Sequence, residues 1–199
     1  MRSGEVKKFM VGILSAVLAM SLVACSNFAS KEESGYRIQK VKVKITDDAD
    51  LIGKVGIQDS KGKMVDVKPK ALYYEFKMKQ QGQRKFYQND KDEIEAKIIP
   101  NEDLKKASIN TVGVNVFDEG HGQFSTGMGI EDFNYMKKGK VDVHYDLGAT
   151  VKNKEMPLAP SDQKLKKLQQ VARHGKLVIT RNNKEIGRYD LETLESVKK

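Results

Sequence analysis

The stretch from Asp118 to Gly129, which reads DEGHGQFSTGMG, holds the densest group of side chains that could do chemistry. It combines two carboxylates, one imidazole, two large apolar side chains and four glycines in a single predicted connection. Two carboxylates at a suitable separation can hydrolyse a glycosidic bond, and long loops in compact domains often carry function. We therefore expect either a ligand-contacting rim or an ordinary mobile connection between strands. The residues of the predicted rim are Asp118, Glu119, His121, Phe124 and Met128.

One short motif resembles the turn that carries a catalytic serine in hydrolases. Within Gly122–Gly127, however, the glycine stands three residues before Ser125 instead of two, and no strand-to-helix turn is predicted after it. The sequence thus lacks a complete set for nucleophilic catalysis, and we expect a protein that is not an enzyme.

Metal-binding patterns are also incomplete. The stretch Asp48–Gly53 begins like a calcium loop, but Ile52 stands where an oxygen ligand is needed. Three histidines occur without a partner at the spacing of a zinc ligand pair; they are His121, His144 and His174. We expect neither a metal nor a cofactor.

The first 24 residues have the composition of a secretory signal. Arg2, Lys7 and Lys8 give a positive start, and the 16 residues from Phe9 to Ala24 carry no charge. As a helix these would reach about 24 Å, whereas a membrane core is about 30 Å thick. Residues 1–24 are therefore predicted to be a signal peptide rather than a transmembrane anchor.

Cys25 is the only cysteine of the chain and follows Leu22-Val23-Ala24 directly. This order resembles the lipobox of bacterial membrane lipoproteins. The resemblance covers about 26 N-terminal residues, and it implies cleavage between Ala24 and Cys25 with a diacylglyceryl group on the Cys25 sulphur. The alternative is an ordinary thiol near a conventional cleavage site. Without a second cysteine, Cys25 cannot form an internal disulfide.

The resemblance implies a protein attached to the cell membrane on its extracytoplasmic face. Residues 25–35, which carry the lipid and are polar, are predicted to be a flexible tether, and residues 36–199 a single domain. The strong excess of lysine over arginine favours a Gram-positive source. In a Gram-negative cell, Ser26 would resemble an outer-membrane sorting signal.

The net charge of +9 requires an explanation. Nucleic acid is not expected as a partner, because lysines alternate with acids and no basic stripe has interleaved aromatics. Lys40, Lys42 and Lys44 line one face of a predicted strand, which could meet anionic lipids or wall polymers outside the cell. A solvated face that confers solubility is the alternative.

Alternation of apolar and polar residues predicts a chain that is mainly β. The runs that alternate are Val41–Ile45, Ala71–Lys79, Ile94–Ile98, Ile109–Phe117 and Val141–Asp146. Turn residues predict two hairpins, Lys54–Gln58 with Met64–Val67 and Lys176–Arg181 with Lys184–Leu191. Ser161–His174 is predicted as an amphipathic helix near the C-terminus, capped by Ser161. We expect an antiparallel β-sandwich, with an immunoglobulin-like arrangement as first choice and a partly open β-barrel as the alternative.

Three functions are compatible with these features. The first is a lipid-anchored envelope protein with a non-catalytic domain that binds a protein, peptide or anionic wall polymer through its loops or a strand edge. The second is an envelope enzyme that acts on wall glycan or peptide. The third is a precursor whose signal peptide releases a short apolar pheromone, for which Val17–Ala24 has a suitable composition.

Overall fold

The structure is a computed structural model, and it describes residues 35–58, 62–81, 86–87, 89–118, 120, 123–131, 133 and 137–198. The strands in this part are β1 (Tyr36–Thr46), β2 (Val55–Gln58), β3 (Met64–Val67), β4 (Pro69–Gln80), β5 (Ile94–Pro100), β6 (Thr126–Glu131), β7 (Lys138–Ala149), β8 (Gly175–Arg181) and β9 (Lys184–Asp190). The helices are α1 (Ala49–Ile52), α2 (Glu102–Val112) and α3 (Asp162–Gln170).

The strands form three antiparallel sheets. The largest has the order β1-β4-β7-β6, a second has the order β5-β8-β9, and β2 with β3 forms a separate hairpin. The turn between β8 and β9 has positive φ angles at Asn182 (50°) and Asn183 (62°). Asparagine tolerates this left-handed conformation better than most residues. The antiparallel pairing of β2 with β3 and of β8 with β9 confirms both predicted hairpins.

The two larger sheets share one hydrophobic core. The inward side chains of β4 and β7, such as Phe76 and Val143, pack in the same cluster as Ile98 of β5 and Leu177 of β8. Buried tyrosines also join the layers through hydrogen bonds. The Tyr145 hydroxyl accepts from the Ile98 N–H at 2.7 Å. Tyr145 therefore buries a large ring without leaving its hydroxyl unpaired.

The helix α3 closes one side of this core. Its Leu165 and Leu168 are buried, and the Tyr74 hydroxyl of β4 donates to the Ala172 carbonyl just beyond the helix at 2.8 Å. The helix is shorter than predicted, and Ser161 stands at its N-cap without a side-chain cap hydrogen bond. The prediction that Ser161 caps this helix through its side chain is wrong.

The helix α2 includes the first four residues of a predicted strand. Asn101 accepts hydrogen bonds from the N–H groups of Asp103 and Leu104, and Gly113 ends the helix with φ at 89°. The predicted strand Ile109–Phe117 is wrong, because its alternating valines straddle the end of a helix instead of lying in one element.

The fold is mainly β, with antiparallel sheets that are not closed into a barrel and a sandwich-like arrangement around the shared core. The predicted fold class is thus confirmed and the barrel alternative is wrong; the immunoglobulin-like arrangement stays a prediction. Residues 34–199 form one compact unit, and every residue of the main core lies at or after Tyr36. Among the described helices, none combines the length and apolarity needed to cross a membrane.

Candidate binding surface on the four-stranded sheet

The four-stranded sheet turns one face towards the core and the other, here called the outer face, away from it. Strand register places the outer-face residues of β1, β4 and β7 in cross-strand rows. The rows are Arg37-Lys79-Lys138, Lys40-Lys77-Lys140, Lys42-Glu75-Asp142 and Lys44-Tyr73-His144. The surface changes from wholly basic at the start of β1 to acidic, aromatic and imidazole groups farther along.

Two glycines of β6 allow β7 side chains to lie over its backbone. Gly127 pairs with His144 and Gly129 pairs with Asp142. A Cβ atom on Gly127 would lie 2.6 Å from His144 Nε2, and one on Gly129 would lie 2.8 Å from Asp142 Oδ2. The imidazole and the carboxylate therefore occupy the space that side chains on β6 would fill, and they extend towards the edge of the sheet.

Gly127→Ala is expected to destabilise the domain by about 1–3 kcal/mol, because the new methyl group overlaps the His144 ring. Urea unfolding of the single variants and of Gly127→Ala with His144→Ala measures the coupling between the sites. His144→Ala should relieve most of the cost of the added methyl group. An equal cost in both backgrounds would show that the imidazole does not lie over Gly127.

Asp142, Lys140 and Glu131 form a small ionic cluster beside these glycines. Lys140 Nζ lies 2.7 Å from Glu131 Oε1 and 3.6 Å from Asp142 Oδ2. Partial burial raises the pKa of Asp142, and the ammonium of Lys140 offsets this only in part. Burial is the largest effect on Lys140 and opposes its charge, but the hydrogen bond to Glu131 and the electrostatic attraction of Tyr73, Glu131 and Asp142 together outweigh burial and raise the pKa of the ammonium. The cluster presents two carboxylates and one cation.

His144 and Asp146 have polar atoms without a hydrogen-bond partner among the described residues. These atoms are His144 Nδ1 and Asp146 Oδ1. Burial lowers the pKa of His144, so its neutral form is favoured. Burial also raises the pKa of Asp146 to about 6, although the Ser125 N–H donates to the carboxylate. Buried groups of this kind are costly in a purely structural role and often mark a functional surface.

Tyr73 is covered from the solvent side. Its ring is 2 % exposed and packs with Ile52 of α1, while Lys44 Nζ lies 5.7 Å from the ring centroid. Burial and the nearby Asp142 carboxylate raise the pKa of Tyr73 to about 12. The phenol therefore stays protonated at physiological pH.

The strand β6 is the edge of this sheet beyond β7. The Asp146 N–H donates to the Ser125 carbonyl at 2.9 Å, which fixes the alternation of bonded and non-bonded pairs along β6 and β7. The backbone groups of Gly127 and Gly129 thus point to β7, while those of Thr126, Met128 and Ile130 point away from it. The outward groups form a row of donors and acceptors that meet no backbone partner within the described part of the chain.

The structure separates the residues of the predicted loop rim. Met128 lies in β6 and not in a loop, so the prediction of one connection from Asp118 to Gly129 is wrong. Asp118 is exposed, and Phe124, which looked exposed in the sequence, is half-buried against the main core. Glu119 and His121 lie outside the described residues, as do Ala24, Cys25 and the signal peptide.

A cleft of about 640 Å³ lies beside Phe124. Phe124, Leu147 and Leu158 contribute apolar walls, and Lys164 contributes a cationic side chain. Among the described residues, the lining includes neither a carboxylate nor a histidine. Within the described ranges, no group of three or more His, Cys, Asp or Glu side chains could hold a metal ion.

The outer face presents Lys140, Asp142 and Glu131 together beside the β6 edge. Sequence inspection missed this site, because the glycine-rich segment Thr126–Glu131 has little β-propensity. The available signal was the pair Gly127 and Gly129 at a spacing of two, which leaves one face of a strand empty.

Comparison of the chain with models of protein families, with curated proteins and with solved structures finds no match.

Proposed function

We propose that this chain is a lipid-anchored protein of the cell envelope whose non-catalytic domain binds an extended polypeptide at the edge of β6. The anchor is the lipid on Cys25 after cleavage at Ala24, and the domain lies on the extracytoplasmic side of the membrane. The bound segment adds a strand to the four-stranded sheet. The observation that carries this proposal is the β6 edge, which meets no further strand among the described residues and has two β7 side chains laid over its glycines.

The chemistry beside the edge defines the preferred peptide. On the outer face, Asp142 and Glu131 favour cationic side chains, because they outnumber the single ammonium of Lys140. On the core face, Met128 is 40 % exposed and Ile130 is half-buried, which favours apolar side chains. Since side chains alternate along a strand, the matching segment alternates basic and apolar residues.

Met128→Pro is expected to weaken binding of a synthetic peptide of alternating lysine and valine by at least about tenfold. Proline removes the outward N–H of residue 128 but leaves the bonds of β6 to β7, which proline tolerates at a sheet edge. Fluorescence anisotropy of the labelled peptide gives the Kd.

The matched control is Met128→Ala, which removes the side chain and keeps the N–H group. It should weaken binding less than Met128→Pro, and a peptide of alternating glutamate and valine should bind neither the parent nor the variants. Equal affinity of Met128→Pro and the parent, with both folded by circular dichroism, would contradict binding at this edge.

A further inference from the structure

We infer that the start of the four-stranded sheet is a second membrane contact, which lies against anionic phospholipid. This inference rests on the proposed lipid anchor at Cys25. It concerns the basic end of the outer face, defined as Arg37, Lys40, Lys77, Lys79 and Lys138.

The two cross-strand rows at the basic end contain only cationic side chains, so like charges lie next to each other. Register places Lys79 between Arg37 and Lys138, and it places Lys40 opposite Lys77. All five side chains are exposed. Like charges that face each other across strands are unfavourable, so the arrangement reduces stability unless an anionic partner offsets it. The neighbouring Lys140 is excluded from this set because Glu131 and Asp142 neutralise it.

The position of the basic end along the chain matches a membrane contact. The strand β1 begins at Tyr36, 11 residues after Cys25, and even a fully extended chain of that length reaches at most about 40 Å. The lipid on Cys25 would therefore keep the start of β1 within about 40 Å of the bilayer surface. Gln80 at the end of β4 and Lys137 before β7 are joined by a backbone hydrogen bond of 2.7 Å at this same end.

The charge at the other end of β1 favours the same orientation. Asp47, Asp48 and Asp50 follow the strand directly and are exposed. A strand of 11 residues is about 36 Å long, so these acids lie several Debye lengths from the basic end. An anionic surface attracts the basic end and repels the acidic one, which sets one orientation of the domain.

Lipid anchors and basic patches commonly act together, since one contact alone gives reversible binding. An anionic phospholipid surface matches several exposed cations spread over one face of a sheet. An anionic wall polymer has related chemistry but is not tied to the end of the domain that the anchor holds. The position of the basic end therefore favours the phospholipid.

The test uses residues 25–199 with Cys25→Ser, which keeps the compact unit and removes the lipid. This protein should bind vesicles of phosphatidylglycerol and phosphatidylcholine in sedimentation assays, and bind poorly to phosphatidylcholine alone. Replacement of Lys77, Lys79 and Lys138 by glutamine should weaken binding about 100-fold, at about fivefold for each lysine. Added salt should also weaken vesicle binding by the parent protein.

The matched control changes the same charge elsewhere, with Lys164, Lys166 and Lys167 of α3 replaced by glutamine. It should retain nearly the parent affinity. An equal loss in both triple variants would overturn the inference, because net charge alone would then explain binding. Binding to inorganic polyphosphate without binding to vesicles would overturn it in favour of a polymer. The affinity of the parent for the lysine-valine peptide tests the β6 proposal separately, so the two can fail independently.

Discussion

Cys25→Ala is expected to abolish lipid labelling and to release nearly all of the protein from the membrane fraction. Each buried methylene of an acyl chain contributes about 0.8 kcal/mol to membrane binding, and two chains hold far more firmly than one. The basic end alone gives weaker, salt-sensitive attachment. Metabolic labelling with palmitate, followed by fractionation in high salt, measures both effects.

The adjacent change Ser26→Ala is the control, and it should leave labelling and attachment intact. Membrane attachment of Cys25→Ala that persists in high salt would contradict the proposed anchor. It would indicate that the apolar segment Phe9–Ala24 is retained and holds the protein in the bilayer.

Asp146→Asn is expected to raise the free energy of unfolding by up to about 3 kcal/mol at pH 7–8. The Asp146 side chain is 1 % exposed, and burial raises the pKa of its carboxyl to about 6 from an ordinary value of 3.8. Ionisation of this group therefore opposes folding. Asparagine removes the charge and keeps a carbonyl oxygen that can accept from the Ser125 N–H.

The pH dependence of this gain has a definite sign. Between pH 4 and pH 6 the folded protein binds the Asp146 proton more tightly than the unfolded chain does, so the stability of the parent falls as the pH rises. The gain from Asp146→Asn should thus be near zero at pH 4 and complete at pH 7. Urea unfolding of both proteins across this range measures it.

His144 is the other titrating group on this part of β7, and burial lowers its pKa. The contribution of His144 to stability therefore grows as the pH rises, which is opposite to the contribution of Asp146. Because both proteins contain His144, its contribution cancels when they are compared. A gain that is constant from pH 4 to pH 8 would contradict a buried, titrating Asp146. A loss of stability at pH 7 would show that the carboxylate is stabilised in the fold.

Much of the sheet structure could be predicted from the sequence. Half-buried strands such as β1 and β4 alternate between faces, and that period of two is visible in Val41–Ile45 and Ala71–Lys79. Turn residues such as Asn182-Asn183 indicated a hairpin, because few residues tolerate positive φ.

The secondary-structure predictions from the sequence are wrong where local patterns compete. Val112, Val114 and Val116 alternate like a strand, yet Asn101 starts a helix and Gly113 ends it, so the first valine is helical and the others are not. In Thr126–Glu131 the opposite occurs, since glycines hide a strand that is held by its pairing with β7. The helix caps decided the first case and pairing with β7 decided the second, and the alternation of apolar residues contains neither signal.

The candidate site was harder to predict than the fold. Gly127 and His144 are 17 positions apart in the sequence, and only the register of β6 against β7 brings them together. The loop hypothesis began from a real concentration of acids and glycines. It could not show that Met128 belongs to an edge strand, or that Asp142 would lie beside Gly129.

Amide hydrogen exchange of β6, measured by nuclear magnetic resonance with and without the lysine-valine peptide, tests the central claim most directly. In the free protein, the amides of Gly127 and Gly129 should exchange slowly and those of Met128 and Ile130 quickly. Added peptide should slow Met128 and Ile130, because their outward N–H groups then bond to the new strand. Peptide binding that leaves these two amides fast while protecting others would contradict strand addition at β6.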